Sequence, residues 1–158
     1  DTKLHRGFSL FIFNSRGELL LQKRSAYKKT WPNIWSNSVC GHPADGEAVE
    51  SAAKRRASFE LGIDIPLKDI KVILKDYRYR YEHLGVVENE ICPVMVAFGD
   101  YTPQPNPSEV ADIRWKDWND FIHELKMPNS YSEWCQEEVS LIQNNQTFLK
   151  LYSDYVAK

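Results

Sequence analysis

No stretch of this sequence approaches the ~20 consecutive apolar residues that a helix needs to cross a bilayer. Its start, Asp1-Thr2-Lys3, has no Met and none of the basic and apolar regions of a secretory leader. We therefore expect no membrane partner, and we expect a segment of the natural chain upstream of Asp1. Cysteine is scarce: Cys40, Cys92 and Cys135 are odd in number, widely spaced and form no CxxC pair. That argues against a disulfide scaffold and for a reducing, cytoplasmic setting. Neither charge sign dominates. Twenty basic side chains against 22 acidic ones leave a net charge of −2, so no broad cationic surface invites DNA or RNA. Any anion must be held by a local cluster of bases. Internal repeats and low-complexity tracts are missing too.

What is present suits one domain over residues 1–158, because 42% apolar residues in a chain of 158 supply a core of ordinary size. Residues 8–13 and 18–23 are short apolar runs around the turn Asn14-Ser15-Arg16-Gly17, which predicts a hairpin. Trp31-Pro32-Asn33 breaks the chain, and residues 35–40 read as extended. A helix is expected over 48–61, capped by Gly62. Residues 72–81 and 86–98 read as strands joined by a polar turn at Glu82-His83. The proline-rich stretch 102–107 must be a loop. A short strand at 113–115 and helices over 118–125 and 132–155 complete the chain. Strands first, one helix inserted and helices last predict an α/β or α+β domain on a central sheet.

Several clusters could carry chemistry. Cys40 and His42 are two apart in an extended segment and so point the same way; Cys40 is either a site residue or a small buried side chain beside a turn. Glu88 and Glu90 share one face of a strand flanked by apolar residues. Either both are solvated on an edge, or a cation or shared proton relieves their repulsion. Tyr77, Tyr79 and Tyr81 alternate with Arg78 and Arg80, which makes one face aromatic and the other cationic. On the helix, Val49, Ala53, Arg56 and Glu60 form one stripe. Arg24 and Lys28, with Lys23 and Lys29, are either a solvated basic face or an anion clamp.

Residues 41–63 resemble the Nudix box, which runs Gly, five residues, Glu, seven residues, Arg-Glu, an apolar residue, any residue, Glu-Glu, any residue, Gly, apolar. Gly41, Glu47, Arg55, Ala57, Glu60, Gly62 and Ile63 fit. Arg56 stands where a Glu belongs, and Phe59 replaces the first Glu of the pair. In the superfamily those carboxylates hold the Mg²⁺ used for diphosphate hydrolysis, and their loss argues against hydrolysis here. The departures suit one branch. Lys28-Lys29-Thr30-Trp31-Pro32, Ser36-Asn37-Ser38-Val39-Cys40-Gly41-His42-Pro43, Asp76-Tyr77-Arg78-Tyr79-Arg80, Glu88-Asn89-Glu90-Ile91-Cys92-Pro93 and Tyr131-Ser132-Glu133-Trp134 are together similar to the type I isopentenyl-diphosphate isomerases, in order and over nearly the whole chain.

The resemblance implies a Nudix fold, a mixed β-sheet sandwiched between helices, and an isoprenoid diphosphate as substrate. It implies interconversion of isopentenyl and dimethylallyl diphosphate. By the same resemblance His5, His42, Glu88 and Glu90 hold Mn²⁺ or Zn²⁺, and Glu60 helps hold a Mg²⁺ on the substrate diphosphate. Arg24, Lys28 and Arg56 contact that diphosphate. Cys40, Glu90 and Tyr79 move protons, and Trp134 faces a developing cation. A further metal-binding His and a diphosphate-contacting Lys are implied upstream of Asp1. Two other readings compete. One is a Nudix hydrolase of a nucleoside diphosphate derivative, which needs the missing carboxylates. The other is a binding module without activity, which has no use for a cysteine, a carboxylate pair and a tyrosine together.

Overall fold

The structure is a computed structural model that describes residues 2–127 and 130–156. Asp1 and Lys158, the ends of the expected domain, lie outside the described residues. Two sheets organise the fold. The larger has β10 (Val110–Asp117), β3 (Glu18–Arg24), β2 (Phe8–Phe13), β9 (Val94–Phe98) and β6 (Lys71–Leu74) in that order, with β4 (Trp35–Ser36) paired to β3 and β5 (Val39–Gly41) to β2. The smaller places β8 (Val86–Ile91) between β1 (His5–Arg6) and β7 (Arg78–His83).

Strand β2 is at the centre because its sequence, FSLFIF, has no polar face to offer solvent; all six residues are buried. Its period-two alternation feeds two cores. Phe11 and Phe13 join one, while Phe8, Leu10 and Ile12 join the other. The second core is closed by α1 (Val49–Leu61), which packs Ala52, Ala53, Ala57 and Leu61 inward. It ends at Gly62, whose φ of 63° is the left-handed cap that glycine adopts without strain. The first core is closed by α2 (Trp118–Glu124), α3 (Glu133–Ile142) and α4 (Gln146–Val156), with Phe13, Trp118 and Phe148 in mutual contact and Phe121 against Trp118. Helices on both faces of a mixed sheet match the expected architecture.

Four boundaries differ from the sequence reading. Residues 86–98 are two strands, β8 and β9, in different sheets. Pro93 has no N–H for a ladder, and the chain crosses between sheets there, with Cys92 N donating to Tyr77 O and Pro93 O accepting from Ser9 N. Residues 72–81 likewise divide into β6 and β7. The turn expected at Glu82-His83 is two residues later, at Leu84 and Gly85, both of which have positive φ (50° and 81°). The helix expected over 132–155 breaks at Asn145, whose Oδ1 accepts from Phe148 N and starts α4. The hairpin turn after Phe13 forms, but only Phe13 and Leu19 pair there, because β2 leaves β3 for β5 and β9.

Candidate active site

Strand pairing assembles a cluster of potential metal ligands. His5 of β1 is in register with Glu90 of β8, and Glu88 and Glu90 share the inner face of β8 at 6% and 3% exposure. The solvated edge is thereby excluded. His42 follows β5 directly. Its Nε2 lies 2.7 Å from Glu90 Oε2, and His5 Nε2 lies 3.1 Å from the same oxygen and 3.8 Å from Glu88 Oε2. One donor atom from each of the four residues falls within 4.8 Å of the others. His5 Nδ1 donates to Lys3 O at 2.9 Å, which in the neutral ring leaves a lone pair at Nε2 facing a carboxylate oxygen. Two acceptors in contact call for a cation or a proton. Burial, and then Glu90, push Glu88 up to about 8. Burial also opposes the Glu90 charge, but hydrogen bonds from His42 and Glu88 hold it low, and that same Glu90 bond raises His42. Imidazole and carboxylate donors with one histidine already oriented from behind fit a divalent transition metal.

The metal cluster opens into a cleft of about 330 Å³, at the lower end of small-molecule sites. Cys40, Tyr79 and Trp134 line it. Cys40 is half-buried at the rim rather than packed away, and its Sγ donates to Asn37 Oδ1 at 3.1 Å. Burial above all pushes the thiol up to about 12, so it rests protonated. Tyr79 is opposite Glu90 in register, and burial followed by Glu90 drives its phenol far above its usual range. Its ring stacks on Trp134 at 5.7 Å, and Trp31 meets Trp134 edge-on at 5.0 Å. Tyr77 and Tyr79 are buried while Arg78 and Arg80 are exposed, so the alternation is a packed face against a solvated one.

The far wall is basic. Arg24 is held by Thr30 through Nε to the carbonyl at 2.9 Å and Nη2 to Oγ1 at 2.7 Å, and its guanidinium lies 5.6 Å from the Trp134 ring. Lys28 and Arg56 converge on Glu109 Oε1 at 2.8 and 2.6 Å. Lys29 is exposed. Arg56 also grips Glu60 Oε2 with Nε at 2.9 Å and Nη2 at 2.6 Å, and Gln22 donates to Glu60 Oε1 at 3.0 Å. Glu60 is thus buried beneath Arg56 and does not line the cleft. The other box pair, Glu47 with Arg55, ties the loop before α1 to the helix; hydrogen bonds from Arg55 hold Glu47 at about 2.

The structure brings His42, Glu88, Glu90, Cys40, Tyr79, Trp134, Arg24, Lys28 and Arg56 around one cleft, holds His5 against Glu90 beside it, and sets Glu60 behind it. Sequence reasoning missed Glu109, Thr30, Asn37 and Gly7. Thr30 and Asn37 sit inside quoted motifs and could have been weighed. Glu109 follows a proline-rich loop with no local signal. Gly7 has one only in hindsight: a Cβ there would overlap the Glu90 carboxylate.

Residues 3–140 match the NUDIX domain model. The chain is 47% identical over 142 residues to the isopentenyl-diphosphate Delta-isomerase of Saccharopolyspora erythraea, covering 89% of this chain and 72% of that protein. It is 42% identical over 160 residues to the enzyme of the same name from Klebsiella pneumoniae, covering 100% and 84%. A crystal structure from Deinococcus radiodurans shares the fold at 23% identity, with a TM-score of 0.70 over 87% of this chain and 82% of that one. With identity at this level over 85% or more of its length, the chain belongs to the isopentenyl-diphosphate Delta-isomerase family, built on the NUDIX fold.

Proposed function

We propose that this chain interconverts isopentenyl and dimethylallyl diphosphate in isoprenoid biosynthesis, with proton transfer from opposite sides of the alkene. The observation that carries the reading is the convergence in one cleft of Cys40, Tyr79 and Glu90 with a basic wall of Arg24, Lys28 and Arg56. An unactivated alkene is a weak base, so moving its double bond needs an acid on one face and a base on the other. Cys40, starting as a thiol, delivers a proton to one face of the alkene. The Glu90 carboxylate, with the Tyr79 phenol beside it, takes one from the other face, and the reverse reaction runs the two roles backwards. Trp134 offers its π face to the cationic centre, worth roughly 1–2 kcal/mol when desolvated. Its orientation is set from behind by Trp31 and by its Nε1 donating to Asn37 Oδ1 at 3.3 Å.

His5, His42, Glu88 and Glu90 would hold Mn²⁺ or Zn²⁺. Such an ion supplies a fixed positive charge that relieves the carboxylate pair and acidifies the groups around it. Glu60 would meet a Mg²⁺ carried by the substrate diphosphate, with Arg56 exchanging the Glu60 carboxylate for phosphate oxygens. Glu109 and Glu60 together neutralise Lys28 and Arg56 until a diphosphate does so. No helix among the described residues is long and apolar enough to cross a membrane. Three free thiols suit a reducing compartment, and we place the enzyme in the cytoplasm.

The test is incubation with isopentenyl diphosphate and Mg²⁺ in D₂O, followed by NMR for the dimethylallyl isomer and deuterium uptake. Cys40→Ala and Glu90→Gln should each lower turnover by about 10²–10⁴-fold, the span of one acid–base group, while Cys135→Ala remains active. Wild-type turnover in either of the first two removes that residue from the mechanism. Release of phosphate from nucleoside diphosphate derivatives without isomerisation would establish the hydrolase reading instead.

A further inference from the structure

Glu138 is on α3, one turn beyond Trp134, and is completely buried. Its Oε2 lies 2.8 Å from Ser9 Oγ, which donates to it when the carboxyl is ionised, and accepts from Cys92 Sγ at 3.7 Å. Its Oε1 has no hydrogen-bond partner among the described residues. An ionised carboxylate left half bare in a protein interior is costly. Burial above all raises its pKa well above the usual range, against the hydrogen bonds from Ser9 and Cys92, and Glu90 and Glu137 add to the rise; none of these groups offers a positive charge. Glu138 is therefore a neutral acid with a proton to donate, and Ser9 is the acceptor beside it.

Ser9 is in register with Cys40 across β2 and β5, and its Oγ lies 3.7 Å from Cys40 Sγ. A serine hydroxyl has one proton. Opposite an ionised Glu138 that proton is committed to the carboxylate. Opposite a neutral acid, Ser9 accepts from Glu138 and its own proton is free to turn to a sulfur; Cys92 Sγ, 3.4 Å from Ser9 Oγ, has its own S–H directed at Glu138, and Cys40 Sγ is the sulfur on the cleft side. On the other side of Cys40 stands an acceptor only, Asn37 Oδ1. The Asn37 amide cannot turn, because its Nδ2 donates to the Leu10 and Val39 carbonyls at 3.1 and 3.0 Å.

We propose that Glu138 is a positioning residue for Cys40: acting through the Ser9 hydroxyl, this buried acid turns a donor toward the sulfur and holds it between Ser9 and Asn37, facing the cleft. No part of Glu138 lines the cleft, and the arrangement makes and breaks no covalent bond. The inference rests on the isomerase role given to Cys40 above.

The experiment measures kcat and KM for isopentenyl diphosphate with the wild-type chain, Ser9→Ala, Glu138→Leu, the double variant and Glu138→Gln. Loss of one hydrogen bond felt in the transition state predicts about a tenfold fall in kcat for each single variant, with KM changed by less than about twofold. The double variant should be no worse than either single one, since both break the same path. Glu138→Gln keeps an N–H to offer Ser9 and should recover most of the loss. Unchanged kcat in Glu138→Leu, losses that multiply in the double variant, or a Gln variant as impaired as the Leu one would each overturn the proposal. If Glu138→Leu does not fold, Ser9→Ala decides, and wild-type kcat there overturns it. A wild-type chain that does not isomerise overturns the isomerase reading and this one with it; isomerisation without these variant effects overturns this one alone.

Discussion

Buried carboxylates set the character of individual residues here. Glu88 and Glu90 are relieved by neighbours that titrate or that could give way to a cation, whereas Glu138 is kept neutral by burial. The sign of its effect on stability follows. Its pKa is raised in the folded chain above the ordinary 4.5. Its contribution is therefore fully present below about pH 4.5, where both states are protonated. It is lost as pH rises above that value, because the unfolded chain ionises first. Glu138→Gln has no such loss. The denaturation midpoint of that variant, relative to wild type, should move upward between pH 4 and pH 7 in urea titrations at several pH values. A difference that stays flat with pH would mean Glu138 ionises normally in the folded protein.

At the scale of elements, β8 brings the pieces of the site together, because it is paired on both sides. β7 supplies Tyr79 opposite Glu90, and β1 supplies His5 opposite the same residue. The bend from β1 to β2 then passes so close to the Glu90 carboxylate that a Cβ at Gly7 would require that side chain to shift. Gly7→Ala should displace the Glu90 side chain. An overpacked site costs about 1–3 kcal/mol, and the moved ligand should weaken metal binding as well. Isothermal titration with Mn²⁺ checks this, and an affinity equal to wild type would show that the carboxylate has room to move. On the opposite wall, α1 supplies Arg56 and Glu60 from consecutive turns. Arg56 bridges Glu60 to Glu109 in the loop before β10, joining the helix to the larger sheet.

Across the whole molecule, the candidate metal site lies between the two sheets, with His42 after a strand of the larger and His5, Glu88 and Glu90 in the smaller. A cation bound there ties the sheets together and exists only in the folded state. At a hundredfold excess over Kd it adds about 2.7 kcal/mol of stability, which in a domain of this size raises Tm by roughly 5–10 °C. Thermal denaturation with Mn²⁺ and with EDTA should show that difference in the wild type and lose it in Glu90→Gln. No shift in the wild type would rule out a metal at these four residues.

Local chemistry was legible in the chain itself. The Gly62 cap, the Ser132 start of α3, the buried run 8–13 and the Nudix-box spacing each depend on neighbours a few residues apart, and those are written in order along the sequence. The motif residues that gather at the cleft were legible too, because each lies in a short segment whose pattern is specific. The division of 86–98 and 72–81 into strands of different sheets was not, since local periodicity says that a strand exists and nothing about its partner. Glu109, 81 residues from Lys28, and Ser9, 129 residues from Glu138, became parts of the site only by long-range contact. Whether a carboxylate is solvated, paired or held neutral depends on what packs around it, and the tertiary structure alone decided that for Glu60, Glu88, Glu90 and Glu138.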